Sequence, residues 1–300
     1  MSARSAAQRS PAVANERRAQ VKLRRWLADR WVMGVALLVL LYLSLPIIVV
    51  AGLSFNRPSS RLSYDFHEFT FDNWTHPFPT LEMRDAVVRS IEIGLIATVI
   101  STVLGTLMAF ALVRHGFRGR AGINGLIFLP MATPELVMGT SLLALFVAAQ
   151  IPLGFWTIVI AHVMFCVSFV VVTVKARLAG MDRRLEEAAM DLYASEWQTF
   201  RRITLPLVLP GIVAAALLAF SLSFDDFIIT NFNSGTTVTF PMYVWGAAGK
   251  GIPPQVNVIG TAMFVIALAV VGATSLQGRR ARRAALAAPV AAVGAPKSAS

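Results

Sequence analysis

The chain has 300 residues, of which 56% are hydrophobic and 14% are charged. With a mean hydropathy of +0.65, this composition excludes an ordinary soluble domain and indicates a protein that crosses a lipid bilayer several times. A net charge of +11 would favour a nucleic-acid partner for a soluble protein, but the positions of the basic residues explain it better here. The single cysteine, Cys166, lies in an apolar run and excludes an intrachain disulfide.

Uncharged apolar runs divide the chain into predicted helices. Residues 1–30 are rich in Ala, Ser and Arg and are expected to form a partly disordered segment. The run 31–54 is longer than the apolar part of a signal peptide, so it is interpreted as a retained helix rather than a cleaved signal. The later runs are 94–113 (with helix extending back to residue 86), 121–150 (interrupted by Pro130, Pro134 and Glu135), 151–174, 205–232 and 256–277.

These runs predict an all-α domain of six transmembrane helices over residues 31–277. The tail that follows, 278–300, is basic and then rich in Ala and Pro, and no fold is expected there.

The basic residues predict the orientation of this domain. All but five of the 27 Lys and Arg residues lie in the N-terminus, in the loops after the second and fourth runs, and in the C-terminal tail. The exceptions are Arg57, Arg61, Arg84, Arg89 and Lys250. Because cytoplasmic segments carry the excess of basic residues, six spans with both termini in the cytoplasm keep all four clusters on one side. No nucleic-acid partner is expected.

The loop after the fourth run, residues 177–205, is polar and is predicted to contain two short amphipathic helices. The first follows Asp182 and carries Glu186 and Glu187 in its first turn, where the helix dipole favours anions. Its apolar side is formed by Leu185, Ala188, Ala189 and Leu192.

The second helix of the loop begins at a capping box, Ser195 with Gln198 three residues later. Trp197, Phe200 and Ile203 share one side, and Leu205-Pro206 is expected to end the helix. Two such helices on a cytoplasmic loop form a projection that can fit a groove on another protein. An ordinary amphipathic loop between membrane helices is the alternative.

The loop resembles the EAA loop of permease subunits of binding-protein-dependent ABC importers, whose pattern is E-A-A, then G, then I-x-L-P. The matching positions are Glu187, Ala188, Ala189, Ile203, Leu205 and Pro206. Tyr193 stands where the family usually has a glycine that turns one helix into the next in a left-handed conformation. A tyrosine there costs about 1 kcal/mol or requires a different turn.

The resemblance covers roughly residues 85–277 and implies a MetI-like importer-permease core. It also implies that the loop couples to an ABC ATPase. The residues expected to carry that coupling are Glu187, Ala188, Ala189, Asp191, Tyr193, Ser195, Trp197, Phe200, Ile203, Leu205 and Pro206.

Two further stretches resemble one branch of the family. SFDDFIITNFNSGTTVTFP (residues 223–241) and PELVMGTSLLALF (residues 134–146) are similar to the second permease subunit of spermidine/putrescine importers. The implied function is the transmembrane path for a polyamine. Importers of another small solute, such as thiamine, ferric ion or an opine-like compound, remain an alternative.

Three acids within the apolar runs are candidates for the substrate path: Glu135, Asp225 and Asp226. A carboxylate near the bilayer centre costs about 2.5–3.5 kcal/mol, so it usually faces a cavity or a partner. Carboxylates in a path suit a polycationic substrate. Alternatively, Glu135 could bind backbone groups freed by the preceding proline, and Asp225 or Asp226 could cap an unwound segment or pair with another subunit.

His162, alone in its run, is more typical of an interior histidine with its hydrogen bonds satisfied than of a ligand or proton relay.

The sequence contains no Walker motif and no paired catalytic set. The chain is therefore expected to be a non-catalytic transport subunit with no cofactor of its own, while a partner ATPase binds ATP and Mg²⁺. The resemblance further implies a second permease subunit in a heterodimer, an extracytoplasmic solute-binding protein, and a location in the bacterial inner membrane. The alternative from another class is a secondary transporter that uses the intramembrane acids as proton sites.

Overall fold

The computed structural model of the protein describes residues 11–60, 63 and 65–287, with side chains described between residues 30 and 273. The helices in chain order are α1 (Pro11–Leu53), α2 (Asp72–Thr75), α3 (Leu81–Arg114), α4 (Arg120–Ala132), α5 (Glu135–Ala148), α6 (Phe155–Ala179), α7 (Arg184–Asp191), α8 (Glu196–Thr199), α9 (Leu205–Asp225), α10 (Ile228–Asn233), α11 (Phe240–Ala247) and α12 (Gln255–Ala287). A π-helix, Phe200–Thr204, connects α8 to α9.

Five helical segments are long and apolar enough to cross a membrane: Arg30–Leu53, α3, α6, Glu196–Asp225 and Gln255–Ala273. The helices α4 and α5 meet this test together, although they are bent by 105° at the break between them. Of the two prolines expected to interrupt this run, Pro134 stands outside both helices. The interruption expected at Pro130 is wrong, because Pro130 lies inside α4.

The bent pair acts as one crossing. Near the start of α4, Asn124 accepts a hydrogen bond at 2.7 Å from Lys175, close to the end of α6. Further along, the Gly139 carbonyl in α5 accepts from Asn233, whose own carbonyl accepts from Thr157 in the first turn of α6. The pair therefore runs from the level of one end of α6 to the level of the other. With this pair counted as one span, the described part of the chain has six candidate crossings, which agrees with the six predicted helices.

The core is formed by α3, α6 and α9. The sequence of α6 is apolar on every side, and 61% of its most apolar stretch is buried, as expected for a central helix. The helix α3 packs closely on α6 through small residues. A Cβ on Gly105 would lie 2.6 Å from the Val170 side chain, so only glycine permits this separation.

The outermost span is α1, and none of its apolar stretch is buried. This helix begins at Pro11, well before the expected start of the span at residue 31. Likewise α12 continues to Ala287, beyond residue 277. The predicted segment 1–30 lies partly outside the described residues, and so does the predicted tail 278–300.

A small subdomain connects α1 to α3. Its two strands, β1 (Asn56–Arg57) and β2 (Glu68–Phe69), pair antiparallel. Asn73 is buried and donates to the carbonyls of Ser54 and Asn56 at 3.2 and 2.9 Å, and it accepts from Gln255 at the start of α12. In the hairpin loop, hydrogen bonds from Ser63 and Ser59 hold the pKa of Asp65 below its ordinary value.

Replacing Gly105 by alanine tests the α3–α6 contact. The added methyl would overlap Val170, and such overpacking costs about 1–3 kcal/mol. The melting temperature of the detergent-purified protein should therefore fall. Gly34→Ala is the matched control, because a Cβ at that helical position has no atom within 4 Å. Equal melting temperatures for the two variants would contradict the close packing.

Candidate functional site

The capping box predicted for the second loop helix is confirmed. The Gln198 amide donates to the Ser195 hydroxyl at 3.3 Å, and the Ser195 amide donates to the Gln198 side chain at 3.2 Å. The first helix, α7, begins after Arg183, and the Asp182 carboxylate accepts from the Arg184 amide. Both helices of the loop are therefore present where the sequence predicts them.

The expected helix end at Leu205-Pro206 is wrong. The chain instead continues as helix from Glu196 to Asp225 through the π-helix. Within that turn the Leu205 amide donates to the Phe200 carbonyl, five residues back. The wider π turn changes the hydrogen-bond register just where Pro206 lacks an amide hydrogen, so the proline is accommodated without breaking the helix.

Tyr193 has the left-handed conformation expected of the family's glycine, with φ of +62°. The Ala194 amide donates to the Ala189 carbonyl, and the Tyr193 amide donates to the Met190 carbonyl. These two bonds form a Schellman motif, which ends α7 and turns the chain toward α8. Tyr193 is 97% exposed, so its side chain projects away from the protein surface at this turn.

Some of the predicted coupling residues face outward from the loop, and the others pack toward the transmembrane helices. An outward set is exposed and consists of Glu187, Ala188, Asp191, Tyr193, Ser195, Trp197 and Pro206. The others anchor the loop, since Ala189 is buried, and Phe200, Ile203 and Leu205 are half-buried. Phe200 packs against Phe110 of α3 with ring centroids 5.5 Å apart, and Trp197 stacks on Phe200 from outside.

A partly buried ion pair, which the sequence did not predict, fixes the loop to the transmembrane helices. One carboxylate oxygen of Glu186 accepts from Arg114 Nη2 at 2.5 Å and from the Thr204 hydroxyl at 2.5 Å. Arg183 also donates to the Val113 carbonyl at 3.1 Å. The loop is thus bound to the end of α3 and the start of α9. Arg114 and Glu186 are 72 residues apart, and nothing local in the sequence relates them.

A cavity of about 1390 Å³ lies along α9, α11 and α12. Its wall is mainly apolar and includes five aromatic residues that also contact one another: Phe220, Phe224, Phe227, Phe240 and Trp245. All three predicted acids, Glu135, Asp225 and Asp226, border this cavity.

The three acids differ in how they meet the cavity. Asp225 and Glu135 are exposed, and among the described residues Glu135 has no hydrogen-bond partner. Asp226 is only 8% exposed. Its carboxylate accepts from the Thr230 amide and hydroxyl at 2.7 and 2.8 Å and from the Ile229 amide at 3.4 Å. Asp226 therefore caps the start of α10, while Asp225 and Glu135 remain free to meet a ligand.

His162 is buried next to this cap. Its Nδ1 lies 2.6 Å from the Ser223 hydroxyl, and its Nε2 lies 2.9 Å from the Thr230 hydroxyl and 3.3 Å from the Asp226 carboxylate. In the sequence His162 stands alone in its apolar run, because its partners are more than 60 residues away in the chain. In the part of the chain that the structure describes, no group of three His, Cys, Asp or Glu residues could hold a metal ion.

Comparison with known proteins gives a family match. Residues 101–286 match the family described as binding-protein-dependent transport system inner membrane component. The chain is 39% identical to the spermidine/putrescine transport system permease protein PotC of Haemophilus influenzae, over 80% of this chain and 93% of that protein. It is 37% identical to the putrescine transport system permease protein PotI of Escherichia coli, over 81% of this chain and 88% of that protein.

Solved structures share the fold at much lower identity. A bacterial ABC transporter involved in the import of the acidic polysaccharide alginate aligns with a TM-score of 0.63 and 16% identity, over 88% of this chain and 99% of that chain. The alginate transporter in complex with its pentasaccharide-bound periplasmic protein aligns with a TM-score of 0.60 and 17% identity, over 87% and 96%. These structures bear on the fold alone.

Replacing Tyr193 by glycine tests the turn between α7 and α8. Glycine adopts positive φ without steric cost, so the variant should be as stable as the parent or up to about 1 kcal/mol more stable in thermal unfolding. Gln150→Gly is the matched control, because Gln150 also has a positive φ, +57°, at the other end of the molecule. If Tyr193→Gly destabilises the protein while Gln150→Gly does not, the tyrosine side chain itself stabilises the folded protein, and the argument from turn geometry is contradicted.

Proposed function

The chain belongs to the family of binding-protein-dependent transport system inner membrane components, and from this membership we propose that it forms one half of the membrane path for a polyamine such as spermidine or putrescine. As a member, it is a multi-pass protein of the bacterial inner membrane and a non-catalytic transport subunit. The relatives that carry polyamine permease names cover about four fifths of this chain, which supports the proposed substrate.

One observation carries the proposed substrate: two exposed carboxylates, Asp225 and Glu135, border a cavity whose other walls are mainly apolar and aromatic. A polyamine has ammonium groups separated by methylene segments. Carboxylates replace part of the hydration of an ammonium group, aromatic faces attract cations, and apolar walls suit the methylene segments. The cavity therefore matches both chemical parts of a polyamine.

The alternatives fit this cavity less well. Ferric ion needs several oxygen or nitrogen ligands at one point, and the described residues hold no such group. Thiamine and opine-like solutes carry fewer separated cationic centres for two carboxylates to meet. Family membership favours import driven by an ATPase over a proton-coupled secondary transporter.

The outward residues of the loop are the proposed docking site for an ABC ATPase, which would bind the ATP and Mg²⁺. Leu192, Tyr193 and Trp197 are 81%, 97% and 66% exposed, so they present a compact apolar tip with Glu187 beside it. Nucleotide-driven closure of two ATPases would draw this loop toward its counterpart and switch the path from inward-facing to outward-facing.

The remaining partners are proposed from the family of the chain and from its basic residues. A second, similar permease would complete the path as a heterodimer, and an extracytoplasmic binding protein would deliver the polyamine. Arg114, Arg183 and Lys175 lie at the end of the molecule that carries the loop. Under the positive-inside rule, this end faces the cytoplasm, where the ATPases are.

Reversing the charge of Glu187 tests the docking site. Glu187 is exposed in the first turn of α7, and lysine there opposes the helix dipole and the proposed partner. Glu187→Lys should abolish co-purification of the ATPase and polyamine uptake while leaving the protein in the membrane. Glu82→Lys is the matched control, since Glu82 is an exposed acid in the first turn of α3, far from the loop. Retention of the ATPase by Glu187→Lys would contradict the docking proposal.

Neutralising Asp225 tests the polycation proposal. Asp225→Asn keeps the shape but removes the charge, and the loss of one charge-assisted contact costs about 1.5–3 kcal/mol, or roughly a ten- to hundredfold effect. Uptake at limiting spermidine should fall by that factor in vesicles that contain the assembled transporter, loaded binding protein and ATP. Glu135→Gln should also lower uptake.

The control for this experiment is Asp85→Asn, because Asp85 is an exposed carboxylate that does not line the cavity and lies 3.7 Å from the neighbouring Arg84. It should transport as the parent does. Parental uptake by both Asp225→Asn and Glu135→Gln would refute the polycation proposal and leave an importer of another solute.

A further inference from the structure

The helix that carries Asp225 ends at that residue, inside the membrane domain. Asp226 is extended, with φ of −64° and ψ of +125°, and α10 begins two residues later at Ile228. The two aspartates therefore occupy a joint between two helices. At such a joint the direction of a side chain depends on how the helix on each side is held, because no intrahelical hydrogen bonds cross it.

One side chain from a different helix contacts both sides of this joint. His162 of α6 is 1% exposed. Its Nδ1 meets Ser223, in the last turn of α9, at 2.6 Å, and its Nε2 meets Thr230 of α10 at 2.9 Å. A single imidazole ring therefore joins α9 to α10 across the two aspartates and fixes both to α6.

The distances around His162 fit an arrangement that uses both ring nitrogens. The Thr230 hydroxyl donates to Asp226 Oδ2 at 2.8 Å, and its oxygen can accept from His162 Nε2–H. The Ser223 hydroxyl can donate to His162 Nδ1. Both ring nitrogens are thus engaged within the protein, and His162 does not border the cavity.

Asp225 has a different environment from all the members of this cluster. Its neighbours Ser223 and Asp226 are 4% and 8% exposed, whereas Asp225 is exposed toward the cavity. The buried contacts on each side of it leave its backbone little freedom to rotate. The direction of the Asp225 carboxylate is consequently set by residues that do not themselves meet the cavity.

We propose that His162 is a positioning residue for Asp225: by joining Ser223 and Thr230 across the joint, it holds the Asp225 carboxylate toward the polyamine path. This inference rests on the proposed function, in which Asp225 meets the substrate. Loss of the imidazole would leave the Asp226 cap with its Thr230 donors but would release α9 from α10. Asp225 would then turn away from the cavity for part of the time.

A double-mutant cycle tests this inference in vesicles with the complete transporter. His162→Asn retains a polar atom near the position of Nδ1, and His162→Gln retains one near Nε2, so each variant holds only one side of the joint. Both should lower uptake at limiting spermidine by about tenfold in equal amounts of assembled complex. In an Asp225→Asn background neither should lower uptake further, because His162 acts through the charge of Asp225.

The outcomes separate this inference from the proposed function. If the His162 variants lower uptake by the same factor with and without Asp225→Asn, His162 is not a positioning residue, and the polyamine path stands. If Asp225→Asn alone transports as the parent does, the role of His162 as a positioning residue is refuted, whereas the polyamine path is refuted only if Glu135→Gln also transports as the parent does. Ser168→Ala removes another buried polar side chain of α6 and should leave uptake unchanged.

A direct measurement of side-chain position complements the transport cycle. In a Cys166→Ala background, Asp225→Cys places a thiol where the carboxylate stands. The assembled complex is treated with the cationic reagent 2-aminoethyl methanethiosulfonate, and the rate of thiol modification is measured. Adding His162→Gln or His162→Asn should change that rate at least fivefold. An unchanged rate in both variants would overturn the inference even if uptake were lost.

Discussion

Inside a bilayer every backbone amide and carbonyl must find a partner within the protein, and the rest of this structure depends on that constraint. The breaks in its helices are therefore places where side chains take over the hydrogen bonds. At the bend between α4 and α5, the Thr133 hydroxyl adds a hydrogen bond at 2.7 Å to the Leu129 carbonyl, which also accepts from the Thr133 amide at 2.9 Å. At the joint between α9 and α10, the Asp226 carboxylate accepts two backbone amides. At each break a polar side chain is tolerated in apolar surroundings because it forms hydrogen bonds with the backbone.

The same constraint explains why two adjacent aspartates have different environments. A buried carboxylate is tolerated when several donors satisfy it, and Asp226 receives amide, hydroxyl and imidazole contacts. Asp225 is the last residue of α9 and is exposed at the border of the cavity. One acid thus belongs to the architecture of the joint, and its neighbour is available to a ligand.

The sequence predicted the features that depend on local patterns. Apolar runs located the five candidate spans and the bent pair of the described residues, and the Ser195–Gln198 box located a helix start. The EAA pattern placed a left-handed residue at position 193, but the tyrosine there left open whether the turn would be kept. Contacts between distant segments were not predictable in this way. Neither Arg114 with Glu186 nor His162 with Thr230 has a local signal, because only tertiary packing brings those residues together. The helix end expected at Pro206 was wrong, because a π-helix connects α8 to α9. Residue propensities do not indicate where a π turn replaces the α-helical hydrogen-bond register.

The π turn has a mechanical consequence. Because it keeps the helix continuous from Glu196 to Asp225, 30 residues connect the loop directly to the cavity. At 1.5 Å per residue this element is about 45 Å long. If this helix rotates about its loop end, the displacement of its other end grows with the length of the helix. A tilt of about 10° at the loop would carry the far end about 8 Å by that length, which is more than twice the reach of a hydrogen bond. A proline that ended the helix would have uncoupled the two ends, whereas the π turn connects them.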